Sequence, residues 1–295
     1  MLRVGAMAVA AALGLSSAAA IGPPAAEAGV FIGVSVNFAP PLLPAYAQPP
    51  IPGPGYLWTP GYWAWAPGGY YWAPGVWALP PNPGLLWTPP WWGWSNGAYL
   101  FHTGYWGATV GFYGGVNYGW GYGGFGYGGG YWNHGQFFYN RTVNNVTNVN
   151  ITNVYQQPVN VSHITNVSYN GGAGGTTAQP TATELAAAQA AHTPPTAAQI
   201  QHVQLAAQTP SLRASANHGM PPIAATSRPG VFSGAAVTPA QYAGRYDQPG
   251  GANALPNHQY GQAQAGHAPA AGPHPAQNRP PQPPHPRNEA RNQKQ

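Results

Sequence analysis

One aromatic motif returns four times between Tyr56 and Trp106. Tyr56-Leu-Trp58-Thr-Pro60-Gly61-Tyr-Trp63 is followed by Tyr70-Tyr-Trp72-Ala-Pro74-Gly75-Val-Trp77. Leu85-Leu-Trp87-Thr-Pro89-Pro90-Trp-Trp92 and Tyr99-Leu-Phe101-His-Thr103-Gly104-Tyr-Trp106 complete the series. The first aromatic falls at 58, 72, 87 and 101, the second at 63, 77, 92 and 106, so both series step by 14, 15 and 14. A spacing held that closely marks one supersecondary unit used repeatedly. Pro60-Gly61, Pro67-Gly68, Pro74-Gly75, Pro83-Gly84 and Asn96-Gly97 read as turns, because proline fixes φ and glycine accepts φ > 0. The aromatic and small residues between them predict a meander of short antiparallel strands. Tight turns within each copy would set Trp58 against Trp63, Trp72 against Trp77, Trp87 against Trp92 and Phe101 against Trp106. Type II turns splay hairpin strands, which leaves wider loops open, and Pro90 in the glycine position demands a different turn in the third copy.

Composition narrows the chemistry. Only 4% of the 295 residues are charged, and none lies between Ala28 and Asn140, the stretch that holds all 12 tryptophans. Gly and Pro number 41 and 36, together about a quarter of the chain and near the low-complexity range. Arg3, the apolar run from Val4 to Leu15 and Ala26-Glu27-Ala28 have the form of a signal peptide over 1–28. Ala18-Ala19-Ala20 offers a second cleavage point, and an uncleaved anchor helix is the alternative. No later run is long and apolar enough to span a bilayer as a helix, so the chain after cleavage reads as no integral membrane protein. Turns every seven residues or so also forbid the strands of about 9–11 residues that a membrane barrel needs. The absence of cysteine excludes disulfides and thiolate chemistry and suits a bacterial envelope or secreted protein, periplasmic or at the cell surface. The net charge of +5 is carried by the C-terminal half, which favours loose attraction to acidic polymers.

The rest of the chain divides by composition. Residues 29–55 combine a strand pattern, Val30 to Phe38, with a proline-rich extended linker. The repeats occupy 56–106. The Gly/aromatic segment 107–139 fits either strands with rings on one face or a disordered, sticky stretch. Residues 140–170, rich in Asn, Val and Thr, favour extended structure, with exposed sequons such as Asn145-Val-Thr147. In 171–220 a glycine joint precedes short helices. Thr181-Ala-Thr-Glu184 is a capping box, a second helix fits Pro195 to Gln208, and a third fits Pro210 to about Asn217 with Gly219 as its stop. Residues 221–295 read as a Pro/Gln/His-rich disordered tail. The fold class is therefore mainly β, an aromatic meander followed by short helices and that tail.

Catalytic groups are scarce. Beyond the leader the acids are Glu184, Asp247 and Glu289, none of them in the aromatic region, so paired-carboxylate and Ser-His-acid chemistry lack their residues. Gly123-Gly-Phe-Gly-Tyr-Gly128 has no strand–loop–helix context and reads as glycine bias, not a phosphate loop. The ten histidines, His192 and His202 on the helices included, are dispersed and read as solvated surface residues without a metal or other cofactor. Base stacking requires a basic groove that 29–140 lacks, which argues against nucleic acid. Two readings remain for Trp58, Trp63, Trp72, Trp77, Trp87, Trp92 and Trp106. They form the core of a structural or interaction module, or they stack on a glycan or peptidoglycan from an exposed face. Burial of the rings separates the two.

The motif Tyr56-x-Trp58-Thr-Pro-Gly61-x-Trp63 and its copies resemble the bacterial YXWGXW (WXXGXW) repeat-containing proteins. The likeness extends through Val110-Gly-Phe-Tyr-Gly-Gly-Val, Phe137-Phe-Tyr-Asn-Arg141, Ser168-Tyr-Asn-Gly-Gly172 and Pro194-Pro-Thr-Ala-Ala-Gln-Ile-Gln-His202. Pro90 for glycine and the missing charges between repeats depart from it. The resemblance implies an exported protein of uncharacterised function, possessing no known catalytic or ligand residues, with envelope proteins or polysaccharide as the partners to consider.

Overall fold

The copies of the motif pair two by two, across a hairpin instead of within each copy. In the computed structural model, which describes residues 34–148, 150–160 and 165–244, Tyr62–Ala66 pairs antiparallel with Gly69–Ala73, and Leu57–Thr59 pairs with Gly75–Ala78. Leu57 faces Ala78 at one end and Ala66 faces Gly69 at the other, so both arms advance nine residues in one register. The second hairpin repeats this. Trp91–Ser95 pairs with Ala98–His102, and Leu86–Thr88 with Tyr105–Gly107. Trp58 and Trp87 stand 29 residues apart, as do Trp63 and Trp92, so the repeating unit is a hairpin built from two copies.

Only two of the expected turns close these hairpins. Ala66 and Gly69 flank Pro67-Gly68, and Ser95 and Ala98 flank Asn96-Gly97, whose φ values of 49° and 82° suit a two-residue loop. Pro60-Gly61 and Pro74 are interruptions in the middle of the arms, where a proline without an N–H breaks the ladder. The expected partners are corrected accordingly. Trp58 faces Trp77, Trp63 faces Trp72, Trp87 faces Trp106 and Trp92 faces Phe101. Their rings meet at centroid distances of 5.2, 5.2, 5.2 and 5.0 Å, tilted or edge-on as the ring quadrupoles prefer.

The second hairpin lies against the first. The Trp92 indole N–H donates to the Trp63 carbonyl at 2.7 Å, and Tyr70 meets the Trp92 ring edge-on. The Tyr122 hydroxyl reaches the carbonyls of Trp58 (3.3 Å) and Trp87 (2.9 Å), the same position in each hairpin. Tyr122 comes from the Gly/aromatic segment, which forms the hairpins Asn117–Gly119 with Tyr122–Gly123 and Gly130–Asn133 with Gln136–Asn140. Of its two readings, the one with strands holds.

The proline-rich stretch does not behave as a linker. Leu43, Tyr46 and Ile51 are buried in the core. Prolines contribute carbonyls without N–H groups of their own, so the stretch offers acceptors to ring donors. Trp63 donates to Leu42 O (3.0 Å), Trp77 to Pro49 O (2.8 Å) and Tyr70 to Phe38 O (2.9 Å). Of the strand read from Val30, only Ser35–Val36 is paired among the described residues, along Ala98–His102. Within 140–170, Asn144 is buried and Asn145 donates to Gln48 O at 3.0 Å, so this stretch is tied in place and Asn145 is not a free sequon.

Three helices follow: α1 (Ala182–Gln189), α2 (Ala197–Gln208) and α3 (Ala214–Asn217), the last preceded by a 3-10 turn at Pro210–Leu212. The Thr181/Glu184 capping box forms as read, and Thr196 with Gln199 makes a second at the start of α2. α3 ends on His218 in the left-handed region, with Gly219 after it. The boundary at 221 moves. Ala225–Thr226 pairs parallel with Gly75–Ala78, and Ala240–Tyr242 pairs with Ala45–Tyr46, so residues through 244 join the sheets. The signal peptide 1–28 and the remainder of the tail reading, from 245, lie outside the described residues. No helix among the described residues is long and apolar enough to cross a membrane.

Candidate functional site

The seven repeat tryptophans form one buried block. Trp58, Trp72, Trp77 and Trp106 have no exposed surface, and Trp63, Trp92 and Trp87 retain 1, 2 and 5%. An exposed stacking row is therefore not made by these rings. Most of their N–H groups are used internally: Trp72 donates to Ala224 O (2.9 Å) and Trp106 to Gln199 Oε1 (2.8 Å). Trp58 and Trp87, equivalent by the 29-residue spacing, are the two buried indoles left without an acceptor among the described residues.

The motif glycine serves these rings by its lack of a side chain. Gly61, Gly75 and Gly104 have no positive φ, so the turn role expected of them does not apply. A Cβ on Gly75 would lie 2.6 Å from the Trp58 ring, and one on Gly61 would lie 2.3 Å from the Trp72 ring. A Cβ on Gly104 would lie 2.5 Å from Trp87. The first tryptophan of one copy thus occupies space over the glycine of its partner copy, and in the first hairpin the exchange is reciprocal. In the second hairpin the position matching Trp72 is Phe101, and the position matching Gly61 is Pro90. A smaller ring thus stands at the one position and a larger residue at the other.

The helices that follow bury polar groups. On α2 the inward residues are Gln199, His202 and Ala206, while Ile200 remains 46% exposed. His202, expected at the surface, is buried. Its Nδ1 accepts from the Gly230 N–H (3.1 Å), which leaves Nε2 to donate to Pro74 O (2.9 Å). Burial holds its pKa down at about 4, against a weaker opposing effect of the Pro74 hydrogen bond. The spacing 199, 202 and 206 is a helical stripe, but hydrophobicity alone would have turned Ile200 inward. His192 stays exposed, although its ring stacks on Tyr105 at 3.7 Å.

Two clefts open on this framework. One of about 530 Å³ lies between Leu79, Pro80, Trp132, Gln136 and Asn153. The other, of about 410 Å³, lies between α1 and the second hairpin, with Trp91, Phe101, Tyr105, Phe112 and Glu184 among its walls. His102 lies flat on Trp91 there, with centroids 4.0 Å apart and planes within 4°. Burial raises the Tyr105 pKa; its hydrogen bond with Thr88 opposes the shift and the Glu184 charge adds to it. Sequence reading assigned Glu184 to capping alone, and nothing in its local pattern signals the aromatic wall opposite. Among the described residues no three His, Asp or Glu side chains are grouped to hold a metal.

The WXXGXW repeat family matches residues 53–78 in two copies, the segment that forms the first hairpin. No curated protein and no solved structure matches the chain.

Proposed function

We propose that this is an exported, non-enzymatic structural or interaction protein of the bacterial cell envelope, whose repeats form a rigid aromatic block that holds other surfaces in place. The observation that carries this reading is the burial of all seven repeat tryptophans. Rings with no exposed face serve packing, and a row of buried indoles gives a small domain the apolar area it otherwise lacks. The leader pattern and the absence of cysteine support export. The scarcity of acids supports a role without catalysis.

The test is a pull-down of the purified protein on insoluble peptidoglycan, chitin and cellulose, with tryptophan fluorescence on soluble fragments. The expected result is no saturable glycan binding by folded protein. Saturable binding lost on changing the exposed Trp94 or Tyr131 to Ala would replace this reading with a glycan-binding one. Export is tested separately, by the N-terminus of the protein recovered from the periplasm or medium, expected at Gly29.

A further inference from the structure

Glu184 places a carboxyl group where its structural role needs only an acceptor oxygen. It is 3% exposed and is the single acidic residue among the described ones. Its Oε2 accepts from the Thr181 N–H (2.8 Å) and hydroxyl (2.9 Å), which completes the capping box of α1. Its Oε1 has no hydrogen-bond partner among the described residues. The capping task itself asks for no charge, because Gln199 performs it for α2 with a neutral amide oxygen, accepting from the Thr196 N–H at 2.9 Å. Burying a carboxylate with one oxygen unpaired costs more than burying an amide, unless a cation or donor arrives.

The surroundings show what kind of group would answer it. Glu184 lines the cleft with Trp91, Phe101, Tyr105 and Phe112, and no arginine or lysine is among the lining residues. Arg213, the cation nearest in sequence, is engaged elsewhere, donating to Pro67 O (3.1 Å). Aromatic faces attract cations, and a carboxylate behind them adds both charge and an acceptor. We infer that this cleft binds a primary ammonium group, with Glu184 as its counter-ion and the aromatic rings as its walls. The site adjoins the buried tryptophan block through Phe101, whose ring meets Trp92, but does not depend on the role proposed for that block.

The test is titration of the purified full-length protein at constant pH and ionic strength with n-butylammonium, with butan-1-ol as the neutral comparator, read by tryptophan fluorescence and by ligand-observed NMR. Butylammonium is expected to bind saturably and the alcohol not to, a comparison that requires no variant. Glu184→Gln keeps the capping geometry, as Gln199 does in α2, and is expected to weaken butylammonium binding by about tenfold or more with an unchanged circular dichroism spectrum. Failure of the folded protein to bind butylammonium, equal binding of the alcohol, or unchanged affinity in Glu184→Gln would each overturn the assignment.

Discussion

Replacing Gly75 by alanine is the sharpest perturbation of the repeat architecture. The added methyl would sit 2.6 Å from the Trp58 ring, 2.9 Å from the Gly61 nitrogen and 2.9 Å from the Tyr46 hydroxyl. The indole is fully buried and the Gly61 nitrogen is backbone, so neither yields cheaply. Overpacking of this kind costs about 1–3 kcal/mol. Tyr46 is the easiest group to displace, but its hydroxyl accepts from the Gly61 N–H at 3.0 Å, and withdrawal strands a buried donor. That adds about 1–3 kcal/mol. The expected loss is roughly 2–6 kcal/mol, a large part of the stability of an ordinary domain. Gly84→Ala is the control: it has a positive φ of 94° and open space around it, so its cost is conformational, about 1 kcal/mol. Guanidinium unfolding followed by tryptophan fluorescence and far-UV circular dichroism gives both values. A Gly75→Ala variant no less stable than Gly84→Ala, with an unchanged denaturant slope, would refute the steric account of the motif glycine.

The second hairpin offers a coupled test. Phe101→Trp alone should destabilise by about 1–3 kcal/mol, and adding Pro90→Gly should recover part of that, a non-additivity that a double-mutant cycle measures. His202 provides a pH dependence. Its folded pKa of about 4 lies below the unfolded value, so its neutral form stabilises the fold above about pH 6.5 and that contribution is lost as pH falls toward 4. Unfolding free energy should drop by about 2–3 kcal/mol between pH 7 and pH 4.5 from this residue, and His202→Gln should flatten that part of the profile. Trp77→Phe, which breaks a hydrogen bond to Pro49 O, should cost about 1 kcal/mol more than Trp58→Phe, whose indole N–H has no acceptor. Equal losses in equilibrium unfolding would count against that distinction.

The repeat was legible in the spacing of its aromatics, and the helices in their caps, because both are local patterns. The pairing was not. A step of 14 and 15 residues fits arms folded within a copy as well as arms folded between copies, and Pro-Gly is a turn at 67–68 but an interruption at 60–61. What distinguishes them is whether a ring across the strand occupies the glycine's space, which is a non-local fact. The same limit explains the proline-rich stretch. Its composition predicts an extended chain, correctly in conformation, but the use of its carbonyls depends on indoles 21 and 28 residues away, Trp63 for Leu42 and Trp77 for Pro49, and on the Tyr70 phenol, 32 residues away, for Phe38. Gln199 carries no signal of its own in the sequence, and His202 and Glu184 read as surface and capping groups, because hydropathy favours the neighbouring Ile200 and Leu185 for the interior. Their burial follows from particular partners, Trp106 and the Pro74 carbonyl for the first two. Residues 221–244 looked like tail for the same reason: few apolar side chains, held by strand pairing to segments about 150 and 195 residues earlier, as in Ala225 with Gly75 and Ala240 with Tyr46.

The exchange of tryptophan and glycine between partner copies imposes a rule of parity on growth by duplication. A single extra copy would present an indole with no glycine beneath it and a glycine with no indole above, on an arm with no partner to complete its ladder. A pair of copies brings its own arms, its own turn and its own complementary contacts. The 29-residue offset between Trp58 and Trp87 is what such a step leaves behind, so the heritable quantum of this architecture is the couple. Insertions and deletions of half that length should be filtered out at the level of folding, before any question of what the protein binds arises.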